Sequence, residues 1–219
     1  MGCLLHVFAH PTPEKSLTMR VANAFVEGYR ESHPGDEVVQ VDLYREQMHN
    51  LTAVHLEAMQ AKGDVAKLTP ELRACWEEIT RQVDRLLAAD LVLLTAPMWN
   101  SGVPSIMKAY IDHVVMAGYT FRFTGPGSSV GMMEGKPLVI VSSCGGIYSV
   151  PPMSHYEMCV SYMRHAFEFI GFDTIAELVA EGLSLVAPHE QESEILQPLM
   201  TRAREVAQGF GYHEIRKAA

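Results

Sequence analysis

The chain has 219 residues, a size that suits one large domain, residues 1–219, better than two small ones. Its 48% hydrophobic and 20% charged residues supply a packed core and exclude a disordered chain. With 17 basic against 26 acidic residues, the net charge of −9 would repel a polyanion over most of the surface, so no nucleic-acid partner is expected. No apolar run approaches the roughly 20 residues needed to span a bilayer, and nothing indicates export. The four cysteines, Cys3, Cys75, Cys144 and Cys159, form no C-x-x-C pair; free thiols in a reducing cytoplasm are expected. Met1-Gly2-Cys3 lacks the Ser or Thr that a myristoylation signal wants at position 6, where His6 stands.

Cys3 to Phe8 reads as a buried strand and Ala9 to Lys15 as a proline-bearing loop. Met19, Ala22, Phe25, Val26 and Tyr29 then follow helical spacing. Pro34-Gly35-Asp36 turns the chain into a second strand, Val38 to Leu43. Tyr44 to Leu68 carries a weak pattern, with a short helix expected around Ala53 to Ala61. Thr69-Pro70 has the form of an N-cap with proline at the first helical position, opening a helix to about Ala89. Leu91 to Ala96 is a continuous apolar strand of the kind covered on both faces. A helix from Pro104 to about Met116 follows. The irregular stretch Gly118 to Lys136 is too long for an ordinary connection and reads as a functional arm. Leu138 to Ser142 is a fourth strand, Cys159 to Ile170 a helix, Thr174 to Val179 a fifth strand and Glu190 to Ala207 a last helix. This alternation predicts an α/β fold, a doubly wound five-stranded parallel sheet of order 2-1-3-4-5. Its ligand crevice would lie at the carboxyl ends of strands one, three and four.

The loops after those strands are therefore the informative ones. After strand one, His10 to Thr18 runs into a helix, with Ser16, Leu17 and Thr18 where the first helical amides point outward and favour an anion. An ordinary N-cap accounts equally for Ser16. After strand three, Pro97-Met98-Trp99-Asn100-Ser101 offers a flat apolar face beside an amide donor and acceptor, the mix a heteroaromatic ring needs. After strand four, Ser143-Cys144-Gly145-Gly146 lets backbone approach a ligand closely. Each loop alone is also a plain turn, but their coincidence at three strand ends points to one ligand site. Cys144 reads as a spectator thiol.

Other patterns fail. Gly125-Pro126-Gly127 is followed by Gly131 instead of a glycine at 130, and Gly135-Lys136-Pro137 lacks the Ser or Thr of a P-loop. His6 and His10, in a strand entering a loop, would lie more than ~12 Å apart. None of the ten histidines joins a recognisable ligand pattern, so no metal is expected. No G-x-S-x-G elbow is present.

Pro97-Met98-Trp99-Asn100, Ala117-Gly118-Tyr119-Thr120-Phe121-Arg122-Phe123 and Ser143-Cys144-Gly145-Gly146-Ile147 resemble the FMN-dependent NADH azoreductases and the flavodoxin-like NAD(P)H:quinone oxidoreductases, with interruptions from Cys3 to Gly182. The resemblance implies that His10 and Ser16-Leu17-Thr18 hold the ribityl phosphate of FMN. It places Met98 to Ser101 beside the flavin ring and Ser143 to Gly146 over its pyrimidine end. His10-Pro11 is more similar to the Ala-His-Pro start of the quinone reductases. Trp99 stands for a usual tyrosine, and Ser101 for a usual aromatic. Tyr148 and His155 are similar to a tyrosine and histidine near the flavin of mammalian-type quinone reductases, which implies hydrogen bonds or proton delivery to a reduced quinone; a structural histidine at a helix start is equally compatible.

The implied activity is two-electron, ping-pong hydride transfer from NADH or NADPH through FMN to a quinone or azo acceptor by a cytoplasmic homodimer. Tyr119, Phe121 and Phe123 are candidates to cover the partner's flavin, unless they pack within their own subunit. The alternatives are a flavodoxin-like carrier of single electrons and a regulatory module with a vestigial flavin site.

Overall fold

The computed structural model describes residues 2–210 other than 47, 62, 63, 65 and 67. Its elements in chain order are β1 (Cys3–Phe8), α1 (Leu17–Ser32), β2 (Glu37–Asp42), α2 (Ala53–Gln60), α3 (Pro70–Ala88), β3 (Leu91–Pro97), α4 (Ser105–Val114), β4 (Phe121–Gly125), β5 (Ser128–Gly131), β6 (Pro137–Ser143), α5 (Val160–Phe169), β7 (Asp173–Ala180), α6 (Pro188–Glu190) and α7 (Gln197–Gly209). The main sheet has the order β2-β1-β3-β6-β7, all parallel, as the sequence pattern predicts. Among the described residues no helix is long and apolar enough to cross a membrane.

Alternation along the strands builds two cores. Leu4, Leu91, Leu93, Val139 and Val141 face α1 and α7, packing on Phe25, Tyr29 and Ala203. Their neighbours Leu5, Val92, Leu94, Leu138 and Ile140 face the other way, against Met107 and Tyr110 of α4 and Met163 and Phe167 of α5. Both faces are covered, which is why β3 and β6 read as unbroken apolar runs. Gly28 lets α1 approach α7, since a Cβ there would lie 3.0 Å from the Arg204 backbone. A smaller cluster around Trp76 and Ile79 joins α2 to α3.

Two segments differ from the sequence expectation. The stretch Gly118 to Lys136 contains an antiparallel hairpin, β4–β5. Within it Tyr119 packs edge-on to Trp76 at 5.6 Å, and Phe121 is buried against Phe169 at 4.8 Å; of these three aromatics Phe123, 71% exposed, is the one that projects outward. The last helix is interrupted by a π-helical stretch, Gln191–Leu196, just before Pro198. Pro198 has no N–H to give the preceding turn, which displaces the regular hydrogen-bond ladder.

Candidate active site at the carboxyl ends of three strands

Register sets the position of the site. Phe8 pairs with Thr95, Thr95 with Val141, and Pro97 with Ser143, so β1, β3 and β6 end side by side. The loops that follow meet there. The Ala9 N–H donates to the Thr95 carbonyl and the Met98 N–H to the Ser143 carbonyl, both at 2.9 Å. The rings of His10 and Trp99 lie 6.0 Å apart. His10, Met98–Asn100 and Ser143–Gly146 thus lie together at one end of the sheet.

In the first loop, a 3-10 turn (Pro13–Lys15) delivers the chain to Ser16, whose hydroxyl accepts from the Met19 N–H at 3.3 Å and caps α1. Ser16 therefore does cap its own helix, and the Leu17 and Thr18 amides of the first turn have no carbonyl of their own helix to bond. The Thr18 hydroxyl turns inward to the Ser143 hydroxyl at 2.5 Å, tying α1 to the end of β6. The His10 ring accepts the Thr12 N–H at Nδ1, which in the neutral ring leaves the proton on Nε2.

In the second loop, Trp99 and Gly102 exchange backbone hydrogen bonds at 2.9 and 3.0 Å around Asn100 and Ser101, whose φ angles are 50° and 69°. This is a two-residue turn of the mirror-image type, with both central residues in the left-handed region. It projects Asn100 from its tip and leaves the Trp99 ring 40% exposed. The Met158 N–H donates to the Ser101 carbonyl, docking the 3-10 turn Met153–Tyr156 beside this loop. His155 sits exposed on that turn.

The third loop is held from below. Carbonyls of Cys144, Gly145 and Gly146 accept from the N–H groups of Leu183, Ser184 and Gly182. A Cβ on Gly145 would meet the Ser184 hydroxyl at 2.5 Å. The Cys144 S–H donates to the Gly146 carbonyl, and burial pushes its pKa up to about 11, so it stays a thiol at neutral pH. Tyr148 lies against Gly146, with its backbone N–H on Glu181.

Several supports escaped the sequence reading. The Gly182–Ser184 turn braces the glycine loop. Cys159, buried beneath it, lies near the Pro97 carbonyl and the Ser142 hydroxyl. Glu157 accepts from the N–H groups of Cys159, Val160 and Ser161; burial would raise its carboxyl, but these bonds hold it below the usual range. An acidic residue just before an apolar helical run was the available signal for that cap.

A groove of about 650 Å³ between α5, β7 and α7 shares Tyr148 with the loops. At the three strand ends, the exposed Trp99 ring and Asn100 amide lie beside the loop that enters α1.

A parallel sheet of this order, with its crevice at the reversal of strand order, defines a flavodoxin-like protein. The family described as a flavodoxin-like fold matches residues 3–204. An FMN-dependent NADH:quinone oxidoreductase from Caldicellulosiruptor saccharolyticus is 33% identical over 96% of this chain and 100% of its own length. An azoreductase from Bacillus anthracis str. Sterne superposes with a TM-score of 0.88 at 31% identity, covering 96% of this chain and 100% of that one. An FMN-dependent NADH-azoreductase from Bacillus anthracis str. Ames Ancestor, solved in complex with FMN, gives 0.85 at 26% identity over 94% and 98%. The chain belongs to this family of flavodoxin-like FMN-dependent NADH:quinone oxidoreductases and azoreductases.

Proposed function

We propose that the protein, acting as one domain, is an FMN-dependent NAD(P)H oxidoreductase that reduces quinones and azo compounds in two-electron steps. The convergence of three loops on one cleft carries this reading. The residues present fit the cofactor: a planar ring with a phosphate tail needs an anion site at one end and an apolar wall with polar edges at the other. FMN, when bound, supplies the hydride and electron chemistry.

The remaining tasks fall to the chain. The first-turn amides of α1 at Leu17 and Thr18, with the helix dipole, would hold its phosphate group, and His10 Nε2–H would donate toward it. Trp99 and Met98 form the apolar wall, and Asn100 offers a donor and an acceptor at its edge. Gly145 and Gly146 bring backbone close, and the Cys144 thiol packs without reacting. The half-exposed Trp99 would border the place that nicotinamide and acceptor occupy in turn. Tyr148 and His155 are the proton donors of this reading.

Homodimerisation is supported by exposed apolar side chains gathered on one segment, Ile147, Val150, Met153, Tyr156 and Met158, and by Phe123 on the hairpin. Free cysteines suit the cytoplasm.

The purified protein is expected to be yellow, to bleach with anaerobic NADH and to recolour on adding benzoquinone. A single-electron carrier would stay coloured with NADH. A colourless protein that FMN does not reconstitute would indicate a vestigial site and refute the proposal.

A further inference from the structure

Away from the cleft, the fold gathers side chains that are distant in sequence. His49 precedes α2, His55 is the third residue of α2, and Glu78 lies in the middle of α3. One ligand-capable atom from each lies within 4.8 Å of the others. Glu78 Oε1 accepts the His49 backbone N–H at 2.7 Å, while Oε2 lies 2.9 Å from His49 Nδ1 and 3.7 Å from His55 Nε2. The last separation is too long for a hydrogen bond. His55 is only 4% exposed, and its Nε2, facing Glu78, has no hydrogen-bond partner among the described residues. His113 of α4, fully buried, stacks on His55 with ring centroids 5.8 Å apart, and both of its nitrogens are likewise unpartnered. Buried polar atoms are nearly always paired, so three such nitrogens in one pocket mark a place built for something else.

We infer that His49, His55 and Glu78 form a binding site for a divalent transition-metal ion of the zinc class, distinct from the three-loop cleft. Imidazole nitrogens and one carboxylate match the borderline preference of zinc; calcium and magnesium want oxygen donors. A tetrahedral ion with bonds of about 2.1 Å needs ligand atoms about 3.4 Å apart. His49, whose side chain is 68% exposed, closes the remaining gap by swinging inward. The outer partner is present. His55 Nδ1 lies 2.8 Å from the Thr52 hydroxyl, to which Nδ1–H would donate once the ion takes the Nε2 lone pair. That tautomer replaces the one in which Nδ1 accepts the Thr52 N–H at 3.3 Å. The ion would fasten the segment before α2 onto α3. The ligands come from separate segments, which is why no spacing motif announces the site.

The full chain as purified, equilibrated with micromolar Zn²⁺ and dialysed against metal-free buffer, is expected to retain about one zinc per chain by atomic emission and to melt at a higher temperature than the metal-free protein. His49→Ala, at an exposed position, keeps the same far-UV circular dichroism but binds zinc at least about tenfold more weakly and loses the rise in Tm. Glu78→Gln gives the same loss of metal. Zinc retention by His49→Ala equal to that of the parent would put the ion on surface histidines such as His165 or His189 and overturn the site. No retained zinc, or an unchanged Tm, would overturn it as well.

Discussion

Asn100 and Ser101 hold left-handed backbone angles that only glycine adopts without strain, though asparagine tolerates them well. Ser101→Gly should therefore be nearly neutral in a urea melt. Ser101→Val, with a β-branched side chain forced to positive φ, should lose about 1–3 kcal/mol and weaken flavin binding as the turn relaxes. His6 is the second telling residue. It is fully buried between the Thr95 hydroxyl and the Gln40 amide, and burial lowers its pKa to about 3. The unfolded chain takes up a proton below about pH 6.5 that the folded chain refuses, so stability falls as pH drops from there toward 3. His113, also lowered by burial, acts in the same direction. Urea melts between pH 7 and 4.5 should show a slope of up to about 1.4 kcal/mol per pH unit from His6, absent in His6→Gln. Cys144, kept a thiol, should react slowly with iodoacetamide at pH 7.5, and Cys144→Ala should keep NADH oxidation within about threefold of the parent.

Regular elements were legible because their burial follows their own period. The strands from Cys3, Leu91 and Leu138 and the helices around Phe25 and Ile79 bury one face or both, and their ends fall within a few residues of expectation. The β4–β5 hairpin was not legible. Phe121 is its one buried position in β4, so no alternation appears, and its turn at Gly125-Pro126-Gly127 reads as a stray glycine motif. What seats the hairpin is Gly131, where a Cβ would overlap the backbone of Ile170 and Gly171, with the Met133 N–H on the Ile170 carbonyl. Gly131→Ala should therefore destabilise by at least about 2 kcal/mol in a thermal melt and increase proteolysis near Phe123, because backbone cannot give way as a side chain can.

At the scale of the whole molecule, the crevice was legible from topology. The switch-point rule names three loops, and the register brings His10 to Trp99 and Thr18 to Ser143 across 125 residues of sequence. The supports beneath the loops were not, because Glu157, Cys159 and the Gly182–Ser184 turn act through contacts that no local pattern encodes. The histidine cluster around Glu78 stayed hidden for the same reason.

The central claim is that these loops serve one bound FMN, and titrating flavin-free protein with FMN by fluorescence quenching tests it on one variant per loop. His10→Ala, Asn100→Ala and Gly145→Val should each fold and each raise the Kd by about tenfold or more, a loss of about 1.4 kcal/mol. If any one of them binds FMN as tightly as the parent chain, its loop lies outside the site and the account is contradicted.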